Sequence, residues 1–217
     1  MEQYIAMRLS EPKEKPECGS SRFFGNPDVL SGFTWPTAEE NGEYFDMDFI
    51  CQINCSVACH FDSTGLLPKQ GMLYFFYDTE GQTNHIPGSA AVCYLPENDD
   101  ALHELVPLDD ETGLAIGMKP LDVGLKAAED LTSAELAPSV LPIPRFLCAT
   151  PASYLLGGGR SAIRLQLLRL SSFTCDGRKL QLPDGMDLCY YISPDALKSL
   201  DFSGVVVEYA PVAQRGK

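Results

Sequence analysis

The sequence predicts an α+β fold that is mainly antiparallel sheet, arranged in two similar halves with few short helices. Six stretches have the aromatic, β-branched or apolar composition that is typical of strands. They are FICQIN (49–54), MLYFFYD (72–78), AAVCYL (90–95), IRLQLLRL (163–170), MDLCYYI (186–192) and VVVEY (205–209). Only two segments carry helix signals, and part of the strand order occurs twice. These observations carry the fold prediction.

The repeated order involves a strand, a Leu-Pro turn, a glycine and a second strand that begins with methionine. Gln52 and Gly71 stand in this pattern in the first half, and Gln166 and Gly185 stand in it 114 positions later. We therefore predict an internal duplication. The chain is then a single domain over residues 1–217, with pseudo-repeats 19–96 and 139–209 joined by an acidic, partly helical segment, 97–138.

Two segments carry helix signals. In SPDALKSL (193–200), Ser193 is a candidate N-cap, Pro194 takes the first helical position and Asp195 lies in the first turn. In GLKAAEDLTSAEL (124–136), Thr132 and Glu135 have the spacing of a capping box. We predict a helix in each segment.

The chain is acidic, with a formal net charge of −14, and the charge is concentrated in its middle. Residues 97–135 hold eleven acidic residues against Lys119 and Lys126. An acidic chain without a basic stripe repels phosphate backbones, so nucleic acid is not an expected partner. Asp109, Asp110 and Glu111 form a candidate acidic docking surface for a basic protein. The plainer interpretation of the acidic middle is a solvated surface, and the docking surface is the more specific alternative.

The compartment follows from what the chain lacks and from its cysteines. No window approaches the ~18 consecutive apolar residues of a membrane helix, and the start has no basic region followed by an apolar run. Eight cysteines in a chain of this size without an export signal favour reduced thiols. We expect a cytoplasmic protein that does not bind membranes.

Cys51, Cys55 and Cys59 lie close together beside His60. The apolar residues around Cys51 indicate a strand, which places Cys51 and Cys55 on one face and Cys59 in the loop beyond. A structural zinc site usually needs a second ligand pair, and the other cysteines are isolated. We therefore expect no metal and interpret these cysteines as buried and unreactive. A metal site and a reactive thiol are the alternatives.

No catalytic motif stands out. The three histidines, His60, His85 and His103, are isolated, and the chain has no G-x-S-x-G elbow. The glycine-rich GGGR (157–160) lacks the lysine and spacing of a P-loop. We expect no cofactor, and the sequence favours a non-enzymatic role.

Gln52 and Gln166 are polar residues on otherwise apolar strands. A buried amide is well suited to tie a strand to a neighbouring backbone. If the two halves instead face each other across a cleft, Gln52, Gln166, Asn54 and Trp35 form a candidate ligand cleft. Both interpretations stay open.

The order of these motifs resembles the YwqG-like family, a bacterial domain of unknown function. The resemblance runs from GSSRFFGNPDVLSGFTWP (19–36) through FICQIN and LPKQGMLYFFYD (67–78) to YLLGG (154–158), LQLLRL and DALKSLDFS. The matching residues of the first half are Gly25, Pro27, Trp35, Pro36, Gln52, Ile53, Asn54, Leu67, Pro68, Gly71, Leu73, Phe75 and Phe76. The resemblance implies a compact bacterial cytoplasmic protein and no established catalytic mechanism.

Two functions follow as hypotheses. The first is a non-enzymatic protein-binding module whose acidic surface meets a basic protein, in a setting that the resemblance suggests is toxin immunity. The second is a small-molecule-binding protein or enzyme that uses a cleft between the two halves.

Overall fold

The computed structural model of the 217-residue chain describes residues 3–79, 89–96, 101–108, 112, 119–135, 143–148, 152–156, 160–175 and 178–212. In chain order the strands are β1 (Ile5–Ser10), β2 (Arg22–Phe23), β3 (Asp28–Val29), β4 (Thr37–Glu40), β5 (Glu43–Asp46), β6 (Asp48–Asn54), β7 (Met72–Tyr77), β8 (Ala90–Leu95), β9 (His103–Glu104), β10 (Leu121–Ala127), β11 (Arg145–Phe146), β12 (Ala152–Leu156), β13 (Arg160–Ser171), β14 (Phe173–Cys175), β15 (Arg178–Leu180), β16 (Met186–Ile192) and β17 (Val206–Pro211). The helices are α1 (Cys55–Ala58) and α2 (Pro194–Lys198), and single 3-10 turns lie at Cys59–Phe61 and Ala128–Asp130.

Eleven of the strands form one sheet. Its order is β17-β16-β13-β11-β1-β10-β2-β6-β7-β8, and β12 pairs with β13 beside this path. Three two-stranded sheets, β14-β15, β3-β9 and β4-β5, complete the described structure. The antiparallel prediction is confirmed for the described strands, since all their pairings are antiparallel.

The α+β class is wrong, because the fold is mostly β. The two α-helices have four and five residues and form no layer of their own. The helix predicted at 193–200 does form as α2, where the Ser193 hydroxyl accepts a hydrogen bond from the Ala196 amide at 3.1 Å. Among the described residues, no helix has the length and apolar character needed to cross a bilayer.

The helix predicted at 124–136 is the main error. Residues up to Ala127 belong to β10, which pairs with β1 over six residues. Leu121, Val123 and Leu125 contact the core at every second position, which is the two-residue period of a strand. Tertiary pairing with β1 overrides the local helix preference.

The capping-box residues nevertheless interact as their spacing predicts. The Glu135 carboxylate accepts from the Thr132 amide at 2.7 Å, and the Thr132 hydroxyl accepts from the Glu135 amide at 3.4 Å. The described residues here form a turn beyond the 3-10 segment. The local hydrogen bonds were therefore predicted correctly and the helix was not.

The large sheet has the same plan on both sides of its centre. Outward from the central β1-β10 pair come a two-residue strand, two long strands and an edge strand on each side. Both two-residue strands read Arg-Phe, and the next residue has a left-handed backbone in each case, Phe24 with φ 56° and Leu147 with φ 45°. The first strand of the chain, β1, pairs with β11 of the second half, while β10 pairs with β2 of the first.

The strand pairs β6-β7 and β13-β16 each contain a bulge, and the positions of these bulges change the alignment of the two halves. The register shifts between Phe49 and Cys51 in β6-β7 and between Gln166 and Leu168 in β13-β16. By this criterion Gln166 corresponds to Phe49, and Arg169 corresponds to Gln52. The internal duplication stays a prediction, but Gln52 and Gln166 do not occupy equivalent places in the pairing.

The core lies on the concave side of the sheet, whose two ends approach each other. The hydroxyl groups of Tyr77 on β7 and Tyr209 on β17 are in hydrogen-bond contact. The Tyr190 hydroxyl on β16 donates to the Phe76 carbonyl at 3.1 Å.

A second apolar cluster, called the outer apolar cluster below, covers the outer side of β6, β7 and β8. Its buried members are Val29, Ala38, Met47, Phe49, Met72, Tyr74 and Phe76.

Candidate functional site

Gln52 lies fully buried on β6, and its side-chain carbonyl and both amide hydrogens form hydrogen bonds within the chain. The side-chain carbonyl accepts from the Asp28 amide at 2.8 Å. The Nε2 group donates to the Ser20 carbonyl at 2.7 Å and to the Asp28 carboxylate at 2.9 Å. These bonds are the ones that the strand-tie interpretation requires, and they leave no amide hydrogen for a ligand.

The same network contains a buried ion pair that was not predicted from the sequence. The Arg22 guanidinium contacts the Asp28 carboxylate, and both side chains are buried. The carboxylate also accepts from the Gly19 amide at 2.7 Å. Burial lowers the pKa of Arg22, while the charge of Glu104 acts in the opposite direction. Cross-strand pairing of Arg22 with Gln52 is what brings these residues together, and no local motif signals it.

Asn54 ends β6 and lies at the edge of a cavity of about 660 Å³. Its carbonyl oxygen accepts from the Ser56 amide at 2.9 Å and caps α1, and its Nδ2 donates to the Gly19 carbonyl at 2.8 Å. The cavity is lined by Ser10, Glu11, Lys13, Glu14, Lys15, Pro16, Glu17, Ser20, Ser21, Asn54, Val57, Asp122, Val123 and Leu125. Most of the lining from 10 to 17 is exposed and charged, unlike the largely apolar wall of a typical ligand pocket.

Trp35 and Gln166 belong neither to the Gln52 network nor to the lining of the cavity beside Asn54. The Trp35 ring packs edge-on against Phe76 with centroids 5.2 Å apart, and its Nε1 donates to the Met47 carbonyl at 2.8 Å. Gln166 is in the other half, where its Nε2 contacts the Cys189 sulfur at 3.5 Å and the Tyr191 hydroxyl at 3.3 Å. Gln52 and Asn54 are therefore neighbours, whereas Trp35 and Gln166 each belong to separate surroundings. The candidate cleft stays a prediction.

The cysteine run is a buried strand end followed by two short helical turns. Cys51 and Cys55 are buried in the core, and Cys59 donates to the Ser56 carbonyl at 3.5 Å. Burial raises the pKa of the Cys51 thiol well above its ordinary value. Burial, with a smaller contribution from Cys59, raises the pKa of Cys55 to about 12.

These thiols are expected to resist labelling in the folded protein. The thiolate is the reactive species, and with a pKa of about 12 only about one Cys55 thiol in a thousand ionises at pH 9. Exposed Cys18 should react with a thiol reagent within minutes, while Cys51 and Cys55 should stay unmodified between about pH 7 and pH 9. Peptide mass mapping reads out each site. Labelling of Cys55 as fast as Cys18 would restore the reactive-thiol alternative.

Two adjacent large apolar side chains are exposed on the β4-β5 hairpin, residues 37–46, and one of them, Tyr44, is the most exposed of the described structure. Tyr44 is 70% exposed and Phe45 is 49% exposed, and all four residues of β5 are exposed. The hairpin closes through Asn41 and Gly42, with φ 54° and 87°. Both angles are positive, as in a type I′ turn. Asn-Gly is a strong hairpin signal, and it could have located this element from the sequence.

The hairpin is also strongly acidic. It carries Glu39, Glu40, Glu43 and Asp46 and no lysine or arginine. Buried Ala38 and the Trp35–Met47 hydrogen bond attach it to the outer apolar cluster. The earlier candidate docking residues Asp109, Asp110 and Glu111 lie outside the described residues, and their role stays a prediction.

Comparison with known proteins places the chain in a family without assigning an activity. No curated protein matches it significantly. A family model described as "Domain of unknown function (DUF1963)" matches residues 21–147, which is more than half of the chain and includes the hairpin, β6 and the Arg22–Asp28 pair. The description does not mention the YwqG-like family, so that finer resemblance stays a prediction. On the extent of this match, the chain belongs to the DUF1963 family, an uncharacterised domain family.

Proposed function

We propose that this protein is a protein-binding module and that the β4-β5 hairpin is its docking element. One observation carries the proposal: two large aromatic side chains are exposed on a hairpin that the rest of the fold holds in place. Aromatic residues are enriched at protein interfaces and often supply most of the binding energy. Exposed rings of this size contribute little to folding.

The charge of the hairpin indicates the kind of partner. Four carboxylates without a nearby basic residue in the same element create a negative potential around Tyr44 and Phe45. Complementary charge across an interface speeds association and favours the right partner. We therefore propose a basic protein as the partner, as in the acidic docking hypothesis, but with the hairpin as the docking element.

The cavity beside Asn54 gives weaker support to the small-molecule hypothesis. Its charged side chains are mostly exposed, and Lys15 is already paired with Glu104 at 2.7 Å. Ligand pockets instead combine an apolar wall with a few positioned polar groups. The hairpin combines apolar anchors with surrounding charge, which is the arrangement of a protein interface.

The proposed function can be tested by selecting binders from random 12-residue peptides displayed on phage. We expect the wild-type protein to enrich peptides that combine lysine or arginine with apolar residues. The double variant Tyr44→Ser, Phe45→Ser should bind the enriched peptides about tenfold or more weakly, because it removes the aromatic anchors. Binding to the wild type should also weaken as salt rises, since screening lengths shrink from about 10 Å at 0.1 M to about 3 Å at 1 M.

Val57→Ser is the matched control, because Val57 is 48% exposed on α1, away from the hairpin. It should leave peptide binding unchanged. The fluorescence of the single tryptophan, Trp35, verifies that the hairpin variants keep the outer cluster folded. Equal enrichment by the wild type and the double variant would rule out the hairpin as the docking element.

A further inference from the structure

We infer that the partner of the hairpin is an extended basic segment that adds to the free edge of β5 as a third strand. This inference rests on the proposed function and specifies how the hairpin binds. It assigns a binding mode and a ligand class to β5: a strand in which lysine or arginine alternates with apolar residues.

The pairing register shows which backbone groups face the free edge. Glu40 and Glu43 flank the two-residue turn and form the first hydrogen-bonded pair of such a hairpin. Hydrogen-bonded and non-hydrogen-bonded pairs alternate along an antiparallel ladder, so Tyr44 and Asp46 are in non-hydrogen-bonded pairs with β4. Their N–H and C=O groups therefore point away from β4. Among the residues that the structure describes, no strand pairs with this edge.

The placement of the two rings favours edge addition over docking on one face. Tyr44 lies opposite Glu39, and Phe45 lies opposite Ala38. Because successive side chains point to opposite faces, the two rings are on different faces of the hairpin. A partner on one face would cover one ring only. A strand added beside β5 places alternate side chains on both faces and contacts both rings.

The charges decide which strand can add. Acidic residues on an exposed edge normally protect it from pairing with other strands. Here all four charges are negative, so a second copy of the hairpin is repelled while a basic strand is attracted. An arginine of the added strand can stack on Tyr44 and pair with the Asp46 carboxylate, which shares the Tyr44 face.

An eight-residue peptide of alternating arginine and valine is the probe. On the ¹⁵N-labelled protein at low salt, we expect its binding to slow hydrogen exchange of the Tyr44 and Asp46 amides at least tenfold. The Phe45 amide, which bonds to β4 in both states, should change little. A peptide with the same composition arranged as four arginines followed by four valines should bind more weakly.

Two variants at one position separate charge from edge pairing. Asp46→Asn and Asp46→Pro both remove the carboxylate, but only proline removes the N–H that faces the free edge. We expect Asp46→Pro to bind the alternating peptide at least tenfold more weakly than Asp46→Asn, with Trp35 fluorescence unchanged in both.

Three results would overturn the inference: no binding of the alternating peptide to the wild type, binding without protection of Tyr44 and Asp46, or equal binding by the two Asp46 variants. If hairpin-dependent peptides still emerge from the phage selection, the proposed function stands and the partner docks in another way. If the Tyr44 and Phe45 double variant selects the same peptides as the wild type, the proposed function itself fails.

Discussion

Replacing Gly71 with alanine is expected to destabilise the protein by about 2–5 kcal/mol, since a left-handed alanine and an overpacked site each have a cost. Gly71 precedes β7 with φ 90°, and a Cβ there would lie 2.3 Å from the Leu95 backbone oxygen and 2.9 Å from the Tyr94 ring. Leu95 pairs with Met72, so its backbone cannot yield without opening the β7-β8 ladder. At ~2–4 °C per kcal/mol, the melting temperature should fall by roughly 4–20 °C.

Gly185→Ala provides a matched control in the other half. Gly185 also precedes a strand that begins with methionine and also has a positive φ, 72°, but a Cβ there meets no atom within 4 Å. Only the backbone strain of about 1–2 kcal/mol should remain. Urea denaturation of both variants gives the comparison. Equal losses of stability would mean that the contact with Leu95 has no role.

Replacing Asp28 with asparagine should cost about 3–5 kcal/mol, because it leaves the buried Arg22 cation without its counter-charge. Asparagine keeps the size of the side chain and can still accept from Gly19 or Gln52. The loss therefore reports the buried charge rather than a cavity. Thermal unfolding should show a decrease of roughly 6–20 °C in the melting temperature.

A double variant tests this explanation. Adding Arg22→Met to Asp28→Asn removes the uncompensated cation, so the double variant should be more stable than Asp28→Asn alone. Urea titrations of the wild type, the two single variants and the double variant give the coupling energy. Strictly additive losses would show that the two side chains stabilise the fold independently.

Six of the eleven strands of the large sheet could be predicted from their apolar, aromatic or β-branched composition, namely β6, β7, β8, β13, β16 and β17. FICQIN and MDLCYYI lie within β6 and β16, whose residues are almost all buried. The segment from 124 could not be assigned correctly from local signals. Its alanine, leucine, lysine and glutamate residues are good helix formers, and its strand state depends on β1, more than a hundred residues earlier.

The polar network around Gln52 also shows that local sequence signals predict only part of a site. Gln52 was recognisable as a buried polar residue because its neighbours in sequence are apolar. Arg22 and Asp28 were not, since their local sequence resembles a surface loop and their burial depends on the β2-β6 and β3-β9 pairings. The alignment of Gln52 with Gln166 went wrong for a related reason, because a bulge has no distinct composition. The hairpin has the Asn-Gly sequence that is typical of a tight turn, but its acidic flanking residues are not typical of strands.

The position of β1 between β10 and β11 has a consequence for biosynthesis. β1 is synthesised before the other described strands, yet both of its partners, β10 and β11, come more than a hundred residues later in the sequence. At roughly 5–20 residues per second, synthesis of the chain between Ser10 and Leu121 takes on the order of 6–20 s. Throughout that interval Ile5 and Met7, both buried in the finished protein, have no strand to pair with. The nascent chain therefore offers an unpaired apolar strand to chaperones long before its own sheet is available.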